Sequence, residues 1–291
     1  MILRTDLCGW VVLDKPTGMS SNRANTIVKR SLGTKTGYAG TLDPLATGVL
    51  PIAVGSATRL IPYVVQHSKT YLATLQWGEE RDTDDSTGVI TQTSSKTPTQ
   101  GELDRVLPSF LGDITQHPPI FSALKIRGKR ACDRARRGEN VTLSPRIVHI
   151  DALNIISHQE SSRQTVLRIT CGKGTYIRSL ARDLGHSLQT FSHIIALRRE
   201  RVGLFSESCA ISLDKFQAMG HSAENCLVSP EKALNECLTS FPIEGRLQRG
   251  QILENCVEQG MRLARLICAS TGNLLGLAGV KDGQWRCVWR S

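Results

Sequence analysis

The order of its predicted strands and helices is the feature that most constrains this chain of 291 residues. Alternating apolar residues indicate strands, and apolar residues at helical spacing indicate helices. Strands are predicted over residues 9–13, 49–54, 69–77, 146–156 and 165–171, and helices over 20–33, 101–111 and 175–188. These elements lack the regular strand–helix–strand rhythm of a parallel sheet. The order therefore predicts an α+β fold with a mostly antiparallel, mixed sheet.

The C-terminal segment has a different pattern, made of short strands. LARLICAS, LLGLAGV and QWRCVWR follow one another from residue 263, separated by Thr271-Gly272-Asn273 and by Asp282-Gly283. Such residues are typical of tight hairpin turns. We therefore divide the chain into a main domain over 1–240 and a small β lobe over 241–291. So short a lobe is expected to depend on the main domain for its stability.

Positive charge is concentrated in one segment of the main domain. The chain has 36 Lys and Arg against 26 Asp and Glu, and seven basic residues but one acid lie between Pro119 and Gly138. The basic residues are Lys125, Arg127, Lys129, Arg130, Arg134, Arg136 and Arg137. Proline and glycine in the segment favour a projecting arm over about 119–145. The arm either grips the phosphate backbone of a nucleic acid, which is a largely electrostatic interaction, or forms an ordinary solvated face.

Several functional classes lack their sequence signatures. The nine cysteines are scattered without a CxxC pair, and the seven histidines form no HxH or HxxxH pair, so we expect neither a disulfide framework nor a metal site. Gly172 and Gly174 form only a GxG, and GxxxxGK[ST] is absent, so we expect no nucleotide cofactor. The N-terminus lacks an apolar signal core, and no run reaches the roughly 18 to 20 apolar residues of a spanning helix. We therefore expect a cytoplasmic protein that does not bind membranes.

A nearly uncharged stretch surrounds a single carboxylate. In GYAGTLDPLATGVLPIAVG, residues 37–55, Asp43 is the one charged residue. Pro44 biases Asp43 towards extended backbone conformations. Asp43 therefore either begins an ordinary Asp-Pro turn or presents a fixed, poorly solvated carboxylate. In the second case it can act as a nucleophile, or support a cation that develops at a sugar C1′.

A second candidate site lies in CGKGTYIRSLARDLG, residues 171–185. The segment passes from a strand through a glycine-rich bend into a helix. The bend places Lys173, Tyr176 and Arg178 around the helix N-terminus, where backbone N–H groups favour anions. Arg178 can also pair with a carboxylate through two parallel hydrogen bonds.

Six ordered motifs resemble those of the TruB family of tRNA pseudouridine synthases, which modify uridine 55 in the T loop. The motifs are LDKPTGMSS (13–21), GYAGTLDPLATGVLPIAVGSATRL (37–60), SKTYLATLQWGEERDTDDSTG (68–88), PPIFSALKIRGKRACDRARRG (118–138), CGKGTYIRSLARDLG (171–185) and HIIALRR (193–199). The resemblance covers most of the chain. It implies a catalytic core of the pseudouridine synthase type, a thumb insertion at about 119–145 and a short PUA-like terminal lobe.

The resemblance also implies roles for individual residues. Asp43 would be the nucleophile on a flipped-out uridine, Tyr71 would stack on the base and serve a late proton transfer, and Arg178 would pair with Asp43. The further implied residues are Tyr176 and Leu197 in the uridine pocket and Lys15 and Pro16 beneath the catalytic loop. The thumb would close over the T loop and the lobe would touch the acceptor stem of tRNA. A monomer without cofactor, metal or obligate protein partner is implied.

One position departs from the family pattern. The family element GHTG reads GYAG here, so Tyr38 stands where the family has a histidine in the space left by the flipped nucleotide. Tyrosine can stack and fill volume, but it cannot carry the charge of an imidazole. We therefore expect Tyr38 to contact the substrate and to change flipping or target preference. Two other functions stay open: a tRNA-binding folding factor with secondary catalysis, and a synthase that acts on another RNA.

Overall fold

The computed structural model describes residues 7–122, 124–126, 128–230, 240–243, 248, 263–271, 274–281 and 284–290. The strands are β1 (Gly9–Lys15), β2 (Thr36–Tyr38), β3 (Thr47–Val54), β4 (Lys69–Trp77), β5 (Glu79–Arg81), β6 (Ile90–Thr93), β7 (Gly112–Gln116), β8 (Lys125–Ile126), β9 (Lys129–Arg130), β10 (Arg146–Gln159), β11 (Gln164–Cys171), β12 (Ser192–Val202), β13 (Phe205–Ser206), β14 (Ile211–Ser212), β15 (Ser240–Ile243), β16 (Leu263–Cys268), β17 (Leu274–Lys281) and β18 (Gln284–Arg290). The α-helices are α1 (Ser21–Leu32), α2 (Ile61–Val64), α3 (Gln100–Val106), α4 (Ala131–Ala135), α5 (Ile177–Ser187) and α6 (Leu213–Ala218). Short 3₁₀ helices span Gly55–Leu60, Leu107–Phe110, Glu207–Cys209 and Gly220–Cys226.

One large mixed sheet forms the centre of the main domain. Its strands lie in the order β14-β1-β3-β12-β4-β11-β10-β7, with β2 added beside β3 and β13 beside β12. The β1–β14 and β3–β12 pairs are parallel, and the other pairs of this sheet are antiparallel. The predicted α+β class with a mostly antiparallel sheet is confirmed.

The core lies on both faces of this sheet, because alternate residues of a strand point to opposite sides. Val11 and Leu13 of β1 belong to the cluster that α1 and α5 cover, whereas Trp10 and Val12 belong to a second cluster on the other face. The second cluster also contains Leu277 of β17 and side chains of the 3₁₀ helix at Gly55–Leu60.

The predicted elements are present, with differences that have local causes. Ser20 caps α1, and Gly33 ends the helix in a left-handed conformation with φ of 63°. The helix predicted over 101–111 stops at Val106 and continues as a 3₁₀ turn, because Pro108 cannot donate a backbone hydrogen bond. Residues 34–48, between the predicted helix over 20–33 and the predicted strand over 49–54, contain β2, which pairs with β3.

The C-terminal segment forms a separate small sheet in the order β15-β16-β17-β18. Its last three strands are those that the sequence predicts, whereas the predicted turns at 272–273 and 282–283 lie outside the described residues. Trp289 of β18 is buried in the second core cluster and donates from Nε1 to Ser56 Oγ at 3.2 Å. The boundary at residue 240 stays a prediction.

The basic segment over 119–145 contains a small hairpin followed by a short helix. Strands β8 and β9 pair with Lys125 opposite Arg130, and α4 follows directly. We call residues 119–145 the thumb. Among the described residues, no helix combines the length and the apolar character that crossing a membrane requires.

Candidate active site

The loop between β2 and β3 carries Asp43, and the first motif of the sequence holds this loop in place. Ser21 Oγ donates to the carbonyl of Leu42 at 2.9 Å and accepts from its N–H at 2.8 Å. The backbone N–H of Gly18 donates to the carbonyl of Pro44 at 2.8 Å. Several hydrogen bonds therefore fix the backbone on both sides of Asp43. We call residues 39–46 the catalytic loop.

Lys15 lies beneath the catalytic loop and is fully buried. Its Nζ donates to the carbonyls of Pro16 at 2.8 Å and Met19 at 2.7 Å, and lies 3.5 Å from that of Pro44. Burial lowers the pKa of Lys15 to about 8, and the nearby Asp43 carboxylate opposes this shift. Lys15 thus contacts the backbone of the catalytic loop, and its supporting role stays a prediction.

Asp43 and Arg178 form a bidentate ion pair. Arg178 Nε donates to Asp43 Oδ2 at 2.9 Å, and Nη2 donates to Oδ1 at 3.2 Å. The Arg178 side chain is 5% exposed, whereas that of Asp43 is 37% exposed. The pair therefore holds one face of the carboxylate and leaves the other accessible. Two residues that lie 135 positions apart in the sequence meet here.

Arg178 is itself held by two further segments besides the catalytic loop. Its Nη1 donates to the carbonyl of Thr83 at 2.8 Å, and its Nη2 also donates to that of Phe121 at 3.0 Å. Asp85 Oδ2 lies 3.8 Å from Nε. The catalytic loop, the acidic segment after β5 and the start of the thumb therefore converge on the one guanidinium that α5 carries. Such fixed donors keep the Asp43 carboxylate in one orientation.

A cavity of about 300 Å³ opens beside the exposed face of Asp43. Its lining includes Tyr71 of β4, Leu197 of β12 and Tyr176, which directly precedes α5. Burial raises the pKa of Tyr71, although Arg199 opposes the shift through its charge and a side-chain hydrogen bond. The phenol therefore stays protonated at neutral pH, next to the carboxylate of Asp43.

Tyr176 is held through its backbone and its ring. The buried Gln116 side chain accepts from the N–H of Tyr176 at 2.8 Å and donates to its carbonyl at 3.1 Å. The Arg146 guanidinium carbon lies 5.9 Å from the centre of the ring, in cation–π geometry. Sequence analysis had named neither Gln116 nor Arg146, because both lie far from Tyr176 along the chain.

Two more buried cations line the cavity, and sequence analysis had not named them as site residues. Lys69 is 6% exposed and Arg199 is 1% exposed. Both occur inside quoted motifs, SKTY and HIIALRR. A signal was present for Lys69, since the alternation of residues 69–77 places it on the same inward face as Tyr71.

Tyr38 does not line the cavity. It is half-buried in β2, where it pairs with Ile52 of β3, and its side chain packs against the core cluster beside α1 and α5. Gly40, two residues later, does line the cavity. The expected substrate contact of Tyr38 therefore stays a prediction.

The thumb arginines differ in their surroundings. Arg136 and Arg137 are exposed, as is Lys129. Arg134 donates from Nε to Glu139 Oε2 at 2.5 Å. Arg127 lies outside the described residues, and Lys125 and Arg130 are placed here by their backbone pairing alone. The exposed basic residues of the thumb stay candidates for backbone contacts with RNA.

Metal-ligand chemistry has little support in the described part of the chain. Over these residues, no group of three His, Cys, Asp or Glu side chains could hold a metal ion. The donors around the cavity are instead cations, hydroxyls and one accessible carboxylate. Such a set suits acid–base or nucleophilic chemistry at a polar base.

Comparison with known families identifies the fold and its chemistry. Residues 28–177 match the model of the TruB family pseudouridylate synthase N-terminal domain, and residues 178–248 match that of the tRNA pseudouridylate synthase B C-terminal domain. The chain belongs to the TruB family. It is therefore a pseudouridine synthase, an isomerase, as its motifs predicted.

Relatives in the TruB family align over most of their length. The chain is 44% identical to tRNA pseudouridine synthase B of Nitrobacter winogradskyi, over 97% of this chain and 82% of that protein. It is 40% identical to the protein of the same name from Brucella ovis, over 96% of this chain and 94% of that one.

The TruB fold is also seen in solved structures of lower sequence identity. A chain of a Cbf5-Nop10-Gar1 complex superposes with a TM-score of 0.67 at 23% identity, over 94% of this chain and 78% of that chain. A chain of the archaeal box H/ACA sRNP Nop10-Cbf5 complex gives a TM-score of 0.65 at 22% identity, over 96% and 83%. These likenesses establish the shared architecture of the sheet and its terminal lobe.

Proposed function

We propose that this enzyme converts uridine to pseudouridine at position 55 in the T loop of tRNA, without a cofactor. Close relatives named tRNA pseudouridine synthase B support tRNA as the substrate. The observation that carries the chemistry is the bidentate Asp43–Arg178 pair, whose carboxylate has one accessible face towards a cavity. The reaction breaks C1′–N1 and joins C1′ to C5. The reaction involves no net oxidation or reduction and consumes no group from solution.

The proposed roles follow the positions of the side chains. Asp43 is the nucleophile on the flipped uridine, and Arg178 holds its carboxylate. Tyr71 stacks on the base and serves the late proton transfer, because its buried phenol faces the cavity. Tyr176 and Leu197 form the walls of the uridine pocket, and Lys15 supports the catalytic loop from below.

The proposed binding of tRNA uses the thumb and the terminal lobe. Flipping the uridine out of a folded loop costs roughly a few kcal/mol, which contacts with the flipped base and the backbone must offset. We assign the backbone contacts to the exposed basic residues of the thumb. The lobe over 241–291, a PUA-like domain in this proposal, contacts the acceptor stem. Tyr38 fills the space that the flipped nucleotide leaves.

A folding factor is the second candidate, and the exposed thumb arginines support it because they bind RNA without chemistry. Asp43, Tyr71 and Arg178 distinguish the two functions. A binding protein that refolds tRNA has no use for an accessible carboxylate held by a buried guanidinium. The enzyme requires that arrangement.

Tritium release from a tRNA transcript labelled at uridine C5 tests the proposed function. C5 loses its hydrogen only when it becomes the glycosidic carbon, so release reports the isomerisation directly. We expect about one tritium per tRNA from the wild-type protein. Asp43→Asn should release none and should bind tRNA with near wild-type affinity, since it keeps the size of the side chain and removes the nucleophile.

Three outcomes would each contradict part of the proposal. Tight tRNA binding by the wild type without any release would favour the folding factor or another RNA target. Nuclease mapping can locate the uridine that loses its label. If that uridine lies outside the T loop, the isomerisation is supported and position 55 is rejected. A large loss of tRNA binding in Asp43→Asn would assign Asp43 a structural role.

A further inference from the structure

Buried positive charge that no carboxylate of the described residues matches lines the cavity. A buried cation is normally paired with an anion, because burying an isolated charge is costly. Lys69 Nζ donates to the carbonyls of Val65 and His67, both at 2.6 Å. Arg199 donates from Nε to the carbonyl of Val49 at 2.8 Å and from Nη2 to that of Gly40 at 3.0 Å. Both cations are therefore satisfied by neutral groups, which are backbone carbonyls and, for Arg199, also the Tyr71 hydroxyl.

No carboxylate within the described ranges lies at ion-pair distance from either Lys69 or Arg199. We call these two residues the buried cation pair. Both line the same cavity as Asp43 and Tyr71. Arg199 lies directly opposite Tyr71 across the β4–β12 pair, so its guanidinium is on the cavity face of the sheet. The pair is thus positioned to act on an anion inside the cavity.

The two cations also act on each other. Burial, with a further contribution from the charge of Arg199, lowers the pKa of Lys69 to about 8. Lys69 remains protonated at neutral pH, so two positive charges are held close together in a poorly solvated site. An apolar side chain would fill either position at a lower electrostatic cost. Packing alone therefore does not explain why both positions carry a positive charge.

We propose that the buried cation pair stabilises the negative charge that the uracil ring carries while it is detached from C1′. The inference rests on the proposed function, because it requires the uridine to occupy this cavity. When the C1′–N1 bond breaks, its electron pair stays on the ring. The ring then rotates, C5 donates an electron pair to C1′, and the C5 proton is lost while N1 takes up a proton, so that the product is neutral. Fixed cations beside the ring lower the energy of this anion without having to reorganise.

The proposal separates the buried cation pair from Arg178. Arg178 is bound to the Asp43 carboxylate, so its charge is already matched. Lys69 and Arg199 have no such partner in the described part of the chain, and they stabilise an anion that exists only during the reaction. Groups of this kind act on the rate of the chemical step and leave substrate affinity nearly unchanged.

The test compares two leaving bases in one enzyme. Two stem-loop RNAs carry a single labelled target nucleoside, either uridine or 5-fluorouridine, and loss of that nucleoside is followed in single-turnover reactions. Fluorine withdraws electrons and stabilises the uracil anion by itself. We expect Lys69→Met to slow the uridine reaction about 100-fold and the 5-fluorouridine reaction about 10-fold or less. Because both RNAs meet the same preparation, any unfolded protein cancels from the ratio of the rates.

Matched variants complete the test. Arg199→Met should raise the ratio of the 5-fluorouridine rate to the uridine rate as Lys69→Met does. Arg199→Lys, which keeps the charge, should leave that ratio near the wild-type value. Lys96→Met makes the same substitution at a lysine away from the cavity, where Nζ contacts Leu188 O and Glu102, and should change neither rate.

The outcomes separate the inference from the proposed function. If the wild type does not convert the uridine RNA, the proposed function fails. If the wild type is active and Lys69→Met and Arg199→Met slow both RNAs by the same factor, the inference fails, and these residues only maintain the site. A raised dissociation constant for RNA in these variants, with unchanged single-turnover rates, would also overturn the inference.

Discussion

Asp84 illustrates, at the scale of single residues, the electrostatic cost of building this site. It is 5% exposed, and its Oδ2 accepts from Arg182 Nη1 at 3.0 Å. Burial raises the pKa of Asp84 to about 6, and the charges of Arg182 and Arg178 oppose this shift. The ion pair therefore fails to compensate fully for the lost hydration of the carboxylate.

The Asp84→Asn variant should become relatively more stable as the pH rises. The pKa of Asp84 is about 6 in the folded protein and 3.8 in the unfolded reference, so the folded state binds the proton more tightly. Wild-type stability therefore falls, relative to the variant, as the pH rises from about 4 to 6, and then levels off. We expect the unfolding free energy of the variant, relative to that of the wild type, to rise by about 2 kcal/mol between pH 4.5 and pH 8. Urea unfolding at both pH values measures it, and an equal difference at both would contradict the prediction.

The contact between β3 and β12 matters most at the scale of elements, because it joins the catalytic loop to the centre of the sheet. The two strands pair in parallel through Arg198 with Thr47 and Arg199 with Gly48. Gly48 has φ of 100°, and a Cβ there would lie 2.3 Å from the carbonyl oxygen of Arg199. Only glycine combines this backbone conformation with so close an approach.

Gly48→Ala should therefore destabilise the protein and displace the catalytic loop. The added methyl group meets backbone rather than a flexible side chain, so β3 or β12 must move. Gly112→Ala is the matched control, because Gly112 has φ of 78° and nothing lies within 4 Å of the position that its Cβ would take. The control should cost about 1 to 2 kcal/mol from backbone strain alone. Gly48→Ala should lower the unfolding temperature and the rate of tritium release more than Gly112→Ala does. Equal losses in the two variants would contradict the prediction.

Charge is the property that matters at the scale of the whole molecule. The formal net charge is +10, and the thumb presents part of it on exposed side chains. Glu139 pairs with Arg134, so that arginine contributes less to the field that RNA meets. Within the described residues, Arg136 and Arg137 form no ion pair with a carboxylate. A polyanion should therefore interact with the full positive charge of Arg136 and Arg137.

The salt dependence of tRNA binding should reflect this difference. Each phosphate contact contributes about 0.9 to the slope of log affinity against log salt concentration in duplexes. We expect replacement of both Arg136 and Arg137 by Ala to reduce the slope by about 2 and to weaken binding at low salt. Arg134→Ala should change the slope by less than about 1. Filter binding over a series of salt concentrations measures both, and an unchanged slope in the double variant would remove the thumb from the RNA interface.

Sequence alone predicted the elements whose pattern is local. The alternation of residues 69–77 and the periodicity of residues 175–188 gave β4 and α5, because apolar spacing follows directly from strand and helix geometry. Motifs of the chain also indicated Asp43, Tyr71 and Arg178 as site residues. The α+β class followed from the order of the elements.

Tertiary structure alone decided which distant residues meet. Sequence could not show that Gln116 holds Tyr176, nor that Arg178 contacts the start of the thumb at Phe121, because these contacts depend on how the strands and helices pack. The unmatched charge of Lys69 and Arg199 was also invisible, since a basic residue in a motif does not reveal whether an acid folds against it. Local pattern fixes secondary structure, whereas burial and charge pairing arise only when remote segments are brought together.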